Sequence, residues 1–301
     1  MVLYASPKAL EMAVKEAAKA SPLNTSEAIS NFYYHRLLYR VFSNGNSPFV
    51  LKGGLSVLAR TLDARTTRDI DLVTDQLDID KAVKELIELV SYDAGDFITF
   101  EFISDRAIKQ EDDYRAGRSV LFDAYLGAKR IMPVSVDLVS DEIPLEYIDI
   151  LEPIDRMQVG DLDSCDYPAY PAERAIADKV CAIIERHGGR PSSRVKDFVD
   201  IIIYAMSVDF SYNALVRALS REAASRHLAL GDEFLLPAEW GAMHERQYRS
   251  LFVNNRLFEA APSFEEGLAI AKRFLDPAIR GMDKWEFWSH VELRWLPDGC
   301  A

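Results

Sequence analysis

The sequence has few cysteines and no long hydrophobic run. Its three cysteines, Cys165, Cys181 and Cys300, are widely spaced and fit neither a disulfide framework nor a Cys-x-x-Cys zinc site. No stretch approaches the roughly 18 apolar residues of a membrane-spanning helix. The first residues lack a basic segment followed by an apolar one, so no signal peptide is expected. We therefore expect a cytoplasmic protein with no membrane partner.

Short motifs of several enzyme classes are also missing. The five histidines form no His-x-x-x-His pair, which makes a zinc hydrolase improbable. The phosphate-binding loop Gly-x-x-x-x-Gly-Lys-Ser/Thr and the nucleophile motif Gly-x-Ser-x-Gly do not occur. No Gly-x-Gly-x-x-Gly follows a predicted strand, so a dinucleotide-binding domain is not indicated.

Positive charge is scarce and unevenly placed. The formal net charge is −13, which argues against broad non-specific binding of nucleic acid. Between Asp141 and Asp166 nine acids stand against Arg156 alone, a local charge of −8. The segment Arg186–Lys196 has four basic residues and no acid. This basic segment is a candidate for binding an acceptor's phosphate backbone, and a solvated loop is the alternative interpretation.

Periodicity divides the chain into a mixed part and a helical part. Helical spacing opens the chain, with Pro7 at an early position of a first helix and a capping box, Asn24 to Glu27, starting a second. The predicted strands are Pro48–Leu51, Asp69–Val73, Phe97–Ile103, Ser119–Ala128 and Met132–Val139. The other predicted helices are Leu55–Thr61, Asp78–Val90, Glu173–His187, Val195–Ser207, Tyr212–Arg226, Phe264–Phe274 and Asp283–Leu293.

These elements predict an α+β fold of two domains. Residues 1–150 are expected to form a mixed-sheet domain with an N-terminal helical extension. Residues 151–301 are expected to form a mostly helical C-terminal domain. Trp285, Trp288 and Trp295 are interpreted as core or interface anchors rather than as platforms for stacking bases.

Asp69 and Asp71 carry the strongest chemical signal. One apolar residue separates them in a predicted strand, so both carboxylates point to the same face. Two unpaired carboxylates side by side are costly, and Mg²⁺ is commonly bound by one or two carboxylates together with substrate phosphates. Upstream, Gly53 and Gly54 leave room for a triphosphate to approach backbone N–H groups. The pattern predicts metal-dependent phosphoryl or nucleotidyl transfer, although an isolated Asp-x-Asp is more often a solvated strand end.

Asp137 is a candidate third carboxylate. It lies in the apolar strand pattern Val134–Val139, where a lone carboxylate would be expensive to bury. The alternative interpretation is an aspartate facing solvent at the end of a strand. Both interpretations remain open at this stage.

Four local motifs in this order resemble the AbiEii/AbiGii toxin family, with its MenT-like toxins, within the polymerase-beta-type nucleotidyltransferase superfamily. The first is Leu51-Lys52-Gly53-Gly54 with Arg60, and the second is Thr67–Leu72. The third, Pro171–Lys179, opens a helix, and the fourth is Arg194–Ile201. The resemblance implies a mixed-sheet nucleotidyltransferase domain and covers about half of the chain.

The resemblance also implies a role for each matching residue. Asp69, Asp71 and Asp137 would bind Mg²⁺, and Asp137 could instead activate the acceptor hydroxyl. Lys179 would contact the triphosphate, and Asp197 would orient Lys179 or steer the acceptor hydroxyl. Without the resemblance, Lys179 is a solvated lysine, and Asp197 and Asp200 are ordinary surface acids. The implied nucleotide-binding residues are Gly53, Gly54, Ser56, Arg60 and Arg68, of which the two arginines could instead only neutralise carboxylates.

One departure from the family pattern concerns the residue after the glycine pair. The family commonly has Ser or Thr there, whereas this chain has Leu55 followed by Ser56. Either Ser56 replaces that hydroxyl, or backbone amides supply the phosphate contacts.

The function implied by the resemblance is that of a toxin in a bacterial toxin–antitoxin pair. It would use Mg²⁺ and a nucleoside triphosphate to add a nucleotide to an RNA end, with the 3′ end of tRNA as the expected acceptor, and so block aminoacylation. A cognate antitoxin is an expected partner. Two alternatives are transfer to a protein or small-molecule hydroxyl, and a non-catalytic nucleotide-binding module.

Overall fold

The computed structural model describes residues 4–64, 67, 69–108, 117–141, 147–253, 255–282 and 285–297, with only the backbone of Arg256. Of the predicted site residues, Arg68 lies outside this part of the chain. Helices and a mixed β-sheet confirm the predicted α+β class. None of the described helices is long and apolar enough to cross a membrane. The chain divides into two compact units, Met1–Leu62 with Thr66–Tyr170, and Asp63–Arg65 with Pro171–Ala301.

Two helices with side-chain caps open the first unit. Helix α1 (Pro7–Ala20) follows Ser6, whose hydroxyl accepts a hydrogen bond from the Ala9 backbone N–H. Helix α2 (Thr25–Phe42) follows Asn24, whose side-chain oxygen accepts a hydrogen bond from the Glu27 backbone N–H. Each cap satisfies one of the N–H groups that have no partner within the helix. The predicted starts of both helices are confirmed.

A seven-stranded mixed sheet forms the body of the first unit. Its strands are β1 (Phe49–Lys52), β2 (Asp69–Thr74), β3 (Ile98–Ala107), β4 (Gly117–Leu126), β5 (Lys129–Ser140), β6 (Asp149–Leu151) and β7 (Tyr167–Ala169). They stand in the order β3-β4-β5-β2-β1-β7-β6. The pairs β2–β5 and β1–β7 are parallel, and the other neighbours are antiparallel. Two further helices, α3 (Gly53–Leu58) and α4 (Ile79–Val90), belong to this unit.

The two faces of this sheet differ in polarity around β2. Ile70 and Leu72 are buried, whereas Asp69 is exposed and Asp71 is partly exposed. The strand β5 alternates in the same way after Pro133. Because side chains alternate along a strand, the apolar residues share one face and the acids the other. Helix α4 contacts β4 and β5, and its own buried residues are apolar.

A buried ion-pair cluster ties α2 to the start of β3. Asp96 accepts hydrogen bonds from Nε of Arg36 and from Nη2 of Arg40, each at 2.7 Å. Burial of Asp96 opposes its negative charge, but the two arginines outweigh this effect and lower the pKa of the carboxyl. All three side chains are buried. The cluster therefore depends on the ionised form of Asp96.

The second unit is mostly helical in its described residues. Its helices are α5 (Ala172–Ile184), α6 (Val195–Ser207), α7 (Tyr212–Ser225), α8 (Ala242–Phe252) and α9 (Phe264–Ile279). A two-stranded hairpin, β8 (Arg186–His187) and β9 (Arg190–Pro191), and a three-stranded sheet, β10 (Phe210–Ser211), β11 (Phe287–Ser289) and β12 (Arg294–Leu296), complete it. The ring of Phe198 packs against Tyr248 and Phe264 in the core of this unit. Helix α8 is not among the helices predicted from the sequence.

The predicted helix Asp283–Leu293 is wrong for residues 285–293. Asp283 and Lys284 lie outside the described residues. Strands β11 and β12 form a hairpin in which Trp288 lies directly opposite Trp295. Both indoles are buried, and their Nε1–H groups donate to backbone carbonyls. The two tryptophans are core anchors, as predicted. Cross-strand packing of these aromatic rings decides the local structure, so helical spacing was misleading.

Candidate active site

The strand register places five polar side chains in one row across the sheet of the first unit. Asp71 of β2 lies directly opposite Asp137 of β5. Asp71 also pairs with Lys52 of β1, and Asp137 pairs with Ser119 of β4. Ser119 in turn pairs with Arg106 of β3. Residues directly opposite each other point to the same face. We call this line, from Arg106 through Ser119, Asp137 and Asp71 to Lys52, the polar row.

Asp69 adds a third carboxylate beside the polar row. It is exposed, and it precedes Asp71 by two residues on the same face of β2. Burial of Asp137 raises the pKa of its carboxyl, a hydrogen bond from Ser119 lowers it, and the charge of Asp69 raises it again. The net result is a pKa above the usual range of a carboxyl group. The acids on this face therefore interact, and a bound cation would relieve their repulsion.

The glycine pair lets the Asp71 carboxylate lie directly against the backbone. Gly53 has a φ of +66°, a left-handed conformation that glycine adopts without strain. A Cβ at position 53 would lie 1.8 Å from Oδ2 of Asp71, and one at Gly54 would lie 2.7 Å from Oγ1 of Thr67. No side chain fits at either position without movement of its neighbour. The structure therefore brings Gly53 and Asp71 together at this turn, with Gly54 against Thr67.

The acids of the first unit suit a hard cation that takes few protein ligands. Within the described residues, no group of three or more His, Cys, Asp or Glu side chains is placed to hold a metal ion by itself. Mg²⁺ keeps several waters and is usually bound by one or two carboxylates plus substrate phosphates. The adjacent carboxylates of Asp71 and Asp137 match that requirement. Asp69 lies close enough to influence Asp137 electrostatically.

Ser56 and Arg60 lie in an internal hydrogen-bond network behind the glycine turn. The buried Ser56 hydroxyl accepts a hydrogen bond from Nη1 of Arg60. Nη2 of Arg60 donates to Oδ2 of Asp149 at 2.5 Å and to the Tyr170 carbonyl at 2.9 Å. The network ties α3 to strand β6 and to the end of β7. Both side chains thus support the turn from inside the unit.

The second unit holds Lys179 between two carboxylates. Nζ of Lys179, on α5, donates to Oδ1 of Asp197 at 3.0 Å and to Oδ2 of Asp200 at 2.8 Å, both on α6. The Lys179 side chain is 11% exposed, that of Asp197 16% and that of Asp200 1%. The predicted pair of Lys179 and Asp197 is thus in direct contact.

The charges around Lys179 keep it protonated. Burial opposes its positive charge, but Asp197 and Asp200 outweigh this effect and raise the pKa of the ammonium group. Lys179 is therefore a fixed cation and not a proton carrier at neutral pH. Asp197 also has a second cation, Arg194, at 3.6 Å.

All four cations of the basic segment Arg186–Lys196 are exposed. Arg190, Arg194 and Lys196 are exposed. Arg186 is also exposed, but its guanidinium pairs with Glu239. The segment thus presents positive charge on the second unit despite the acidic composition of the chain.

Sequence reasoning did not identify three members of these groups as site residues. Arg106 lies beyond the predicted end of its strand, and Ser119 is the first residue of another. Their alignment with Asp137 depends on strand register, which no local pattern reveals. Asp200 shares a helix face with Asp197 at i, i+3 spacing, and that spacing could have indicated a second partner for Lys179.

The chain resembles a known protein family and several solved structures. Residues 36–270 match the family model described as nucleotidyl transferase AbiEii toxin, type IV TA system. MenT4, a nucleotidyltransferase toxin from Mycobacterium tuberculosis H37Rv, has a similar structure, with a TM-score of 0.50 and 14% identity over 91% of this chain and 98% of that one. JHP933 from Helicobacter pylori gives a TM-score of 0.41 and 15% identity over 83% of this chain and 92% of that one. No curated protein matches the chain significantly.

The family match covers far more than half of the chain, and the MenT4 similarity supports the same fold. Nucleotidyltransferases of this family take a nucleoside triphosphate as substrate and usually need a divalent metal ion. The chain belongs to the AbiEii family of nucleotidyltransferase toxins, which act in type IV toxin–antitoxin systems.

Proposed function

We propose that this toxin transfers a nucleoside monophosphate from a nucleoside triphosphate to the 3′-hydroxyl of an RNA, with tRNA as the acceptor. Pyrophosphate would leave, and the extended tRNA could no longer be aminoacylated, so translation in the cytoplasm would stop. The observation that carries the proposal is the pairing of Asp71 with Asp137 beside the Gly53 turn.

Asp71 and Asp137, with Asp69 as a further acid, are the residues we assign to Mg²⁺. When bound there, the ion would neutralise charge that develops on the phosphates. The backbone N–H groups of Gly53 and Gly54 would receive phosphate oxygens, because the missing side chains permit close approach. The occupied hydroxyl of Ser56 favours backbone contacts over a serine contact at this turn.

Asp137 is our candidate to accept the proton of the attacking hydroxyl. It lies directly opposite Asp71 in the polar row, beside the proposed position of the phosphates. The 3′-oxygen would form a bond to the α-phosphorus as the bond to pyrophosphate breaks. Asp137 would thus hold the proton that the acceptor loses.

Lys179 is proposed to supply positive charge to the triphosphate, with Asp197 and Asp200 as its positioning residues. The support is family membership together with the two hydrogen bonds that fix the ammonium group. A lysine held by two carboxylates has a defined direction, which a solvated lysine lacks. Arg60 and Ser56 are assigned to the support of the glycine turn.

RNA is favoured as acceptor by the basic segment on the second unit. Arg190, Arg194 and Lys196 are exposed and suited to phosphate contacts. Membership of a toxin–antitoxin family implies a cognate antitoxin as partner.

A labelling experiment tests this function. Purified protein is incubated with each α-labelled triphosphate and Mg²⁺, with purified tRNA or with cell protein as acceptor. We expect label on tRNA, loss of labelling after chelation, and no labelling of tRNA whose terminal ribose has been oxidised with periodate. Asp71→Asn should abolish labelling, whereas Asp75→Asn, at an exposed acid just after β2, should not. Label found only on protein would refute the tRNA acceptor, and triphosphate binding without pyrophosphate release would refute catalysis.

A further inference from the structure

We propose that Arg106 and Ser119 form an acceptor subsite on the first unit. Arg106 would bind a backbone phosphate of the RNA near its 3′ end, and Ser119 would orient Asp137 toward the attacking hydroxyl. This inference rests on the proposed function and adds to it the residues that contact the acceptor. The observation behind it is the polar row, which continues past Asp137 onto β4 and β3.

Arg106 is a cation available for a ligand. The residue is exposed, and its guanidinium has no hydrogen bond or ion pair with any described residue, although its charge acts on Asp137. The neighbouring arginine on β4, Arg118, is used differently, since it pairs with Asp80 and with Asp105. A guanidinium group offers five N–H donors and binds phosphate oxygens in a bidentate manner. The Arg106 guanidinium is therefore suited to bind a phosphate, and no described residue uses its N–H donors.

The order of strands separates Arg106 from the Gly53 turn, where we place the nucleotide. The Gly53 turn follows β1, beside Asp71, whereas Arg106 lies on the other side of Asp137. At a strand spacing of about 4.8 Å, the backbone at Arg106 is roughly 10 Å from that at Asp137 and roughly 14 Å from that at Asp71. A triphosphate held at the glycine turn would leave the Arg106 end open for a second anion. The second anionic substrate of this reaction is the RNA.

The sheet edge at β3 is accessible. The strand has β4 on one side and no partner on the other among the described strands. Its residues from Glu101 to Ala107 are all exposed. This exposed edge offers a single-stranded RNA end an approach to the polar row.

Ser119 restrains the direction of the Asp137 carboxylate. It lies directly opposite Asp137 in the register of β4 on β5, and its side chain lowers the pKa of the Asp137 carboxyl. The oxygen of the Ser119 hydroxyl lies 3.3 Å from Oγ of Ser135. These neighbours reduce the number of orientations open to the Ser119 and Asp137 side chains, and a group that acts in a reaction must be held in a defined geometry. Ser119 is thus a positioning residue that acts through Asp137.

The Arg106 test measures RNA binding as a function of salt. The probe is a 5′-labelled single-stranded oligoribonucleotide with a free 3′-hydroxyl, titrated with the full-length protein. We expect Arg106→Gln to weaken binding about tenfold at low salt and to reduce the slope of log K against log salt by about 0.7, the value for one phosphate contact on a single strand. Arg106→Lys should keep the slope, and Arg118→Gln, which changes the same residue type on the opposite face, should bind as the unaltered protein does.

The Ser119 test measures transfer to tRNA. Ser119→Ala should lower kcat about tenfold with the KM for tRNA unchanged, and Ser119→Thr should restore kcat because it retains the hydroxyl.

An unaltered salt slope in Arg106→Gln would overturn the subsite. A raised KM for the triphosphate in Arg106→Gln, instead of weaker RNA binding, would also overturn it. If the unaltered protein labels no RNA at all, the proposed function fails, and the binding slopes still decide whether Arg106 contacts nucleic acid.

Discussion

Replacing Gly53 with alanine should have two effects. It should strain the left-handed backbone of the turn, and it should displace the Asp71 carboxylate. The φ of +66° alone makes alanine strained, by about 1–2 kcal/mol for a left-handed non-glycine residue. The added Cβ would also lie 1.8 Å from Oδ2 and 2.4 Å from Cγ of Asp71, so the carboxylate must move. A displacement of about 1 Å in a catalytic group costs on the order of 100-fold in rate. We expect Gly53→Ala to lose at least that factor.

Gly45 offers a matched control in the same unit. Its φ is +73°, and a Cβ there would meet nothing within 4 Å. Gly45→Ala should therefore carry the backbone strain without the clash. At about 2–4 °C per kcal/mol, it should lower the melting temperature by about 2–8 °C and leave labelling of tRNA unchanged. Gly53→Ala should be less stable than this control as well as inactive.

Calorimetry and the rate of label transfer are the two measurements needed. The double variant Gly53→Ala with Asp71→Ala should be less destabilised than the sum of the single variants, because the second change removes the two closest atoms. Equal activity of Gly53→Ala and Gly45→Ala would refute the reasoning, since it would mean that Asp71 does not lie against the turn in the active protein.

Two further predictions concern buried charge. Asp200→Asn should destabilise the protein by about 1.5–3 kcal/mol, and by more than Asp197→Asn, because the Asp200 side chain is 1% exposed and that of Asp197 is 16% exposed. A lower urea midpoint for Asp197→Asn than for Asp200→Asn would contradict this prediction. The lowered pKa of Asp96 stabilises the fold above the unfolded carboxyl pKa of about 4, and this contribution is lost as pH falls through the folded value. The gap in unfolding free energy between the unaltered protein and Asp96→Asn should therefore shrink as the pH of urea titrations falls from 7 to 3, and a constant gap would rule out the ion-pair account.

Local signals explain why the helix starts and the acids were predictable. Pro7 and Asn24 act within one turn of chain, so sequence alone reveals their role. Asp69 and Asp71 share a face because strand alternation is a local property. The order of the four family motifs then indicated the chemistry.

Longer-range features were not accessible in this way. Alignment of Arg106 with Ser119 requires the register of β3 on β4, which a bulge between Phe102 and Ser104 shifts. The helix predicted up to Leu293 failed because Trp288 and Trp295 meet across a hairpin. Both errors come from contacts between segments that no single window of sequence contains.

The division of the sheet of the first unit into an apolar and a polar face has a consequence for how such toxins could be re-engineered. Ser104 and Arg106 on β3 can be exchanged without opening a cavity, because both are exposed and alternate residues of the neighbouring strand, such as Val120, fill the interior. New acceptor preferences can therefore be selected in libraries confined to these positions, while the melting temperature stays nearly constant. Recognition and stability are in this way encoded by different residues of the same strands.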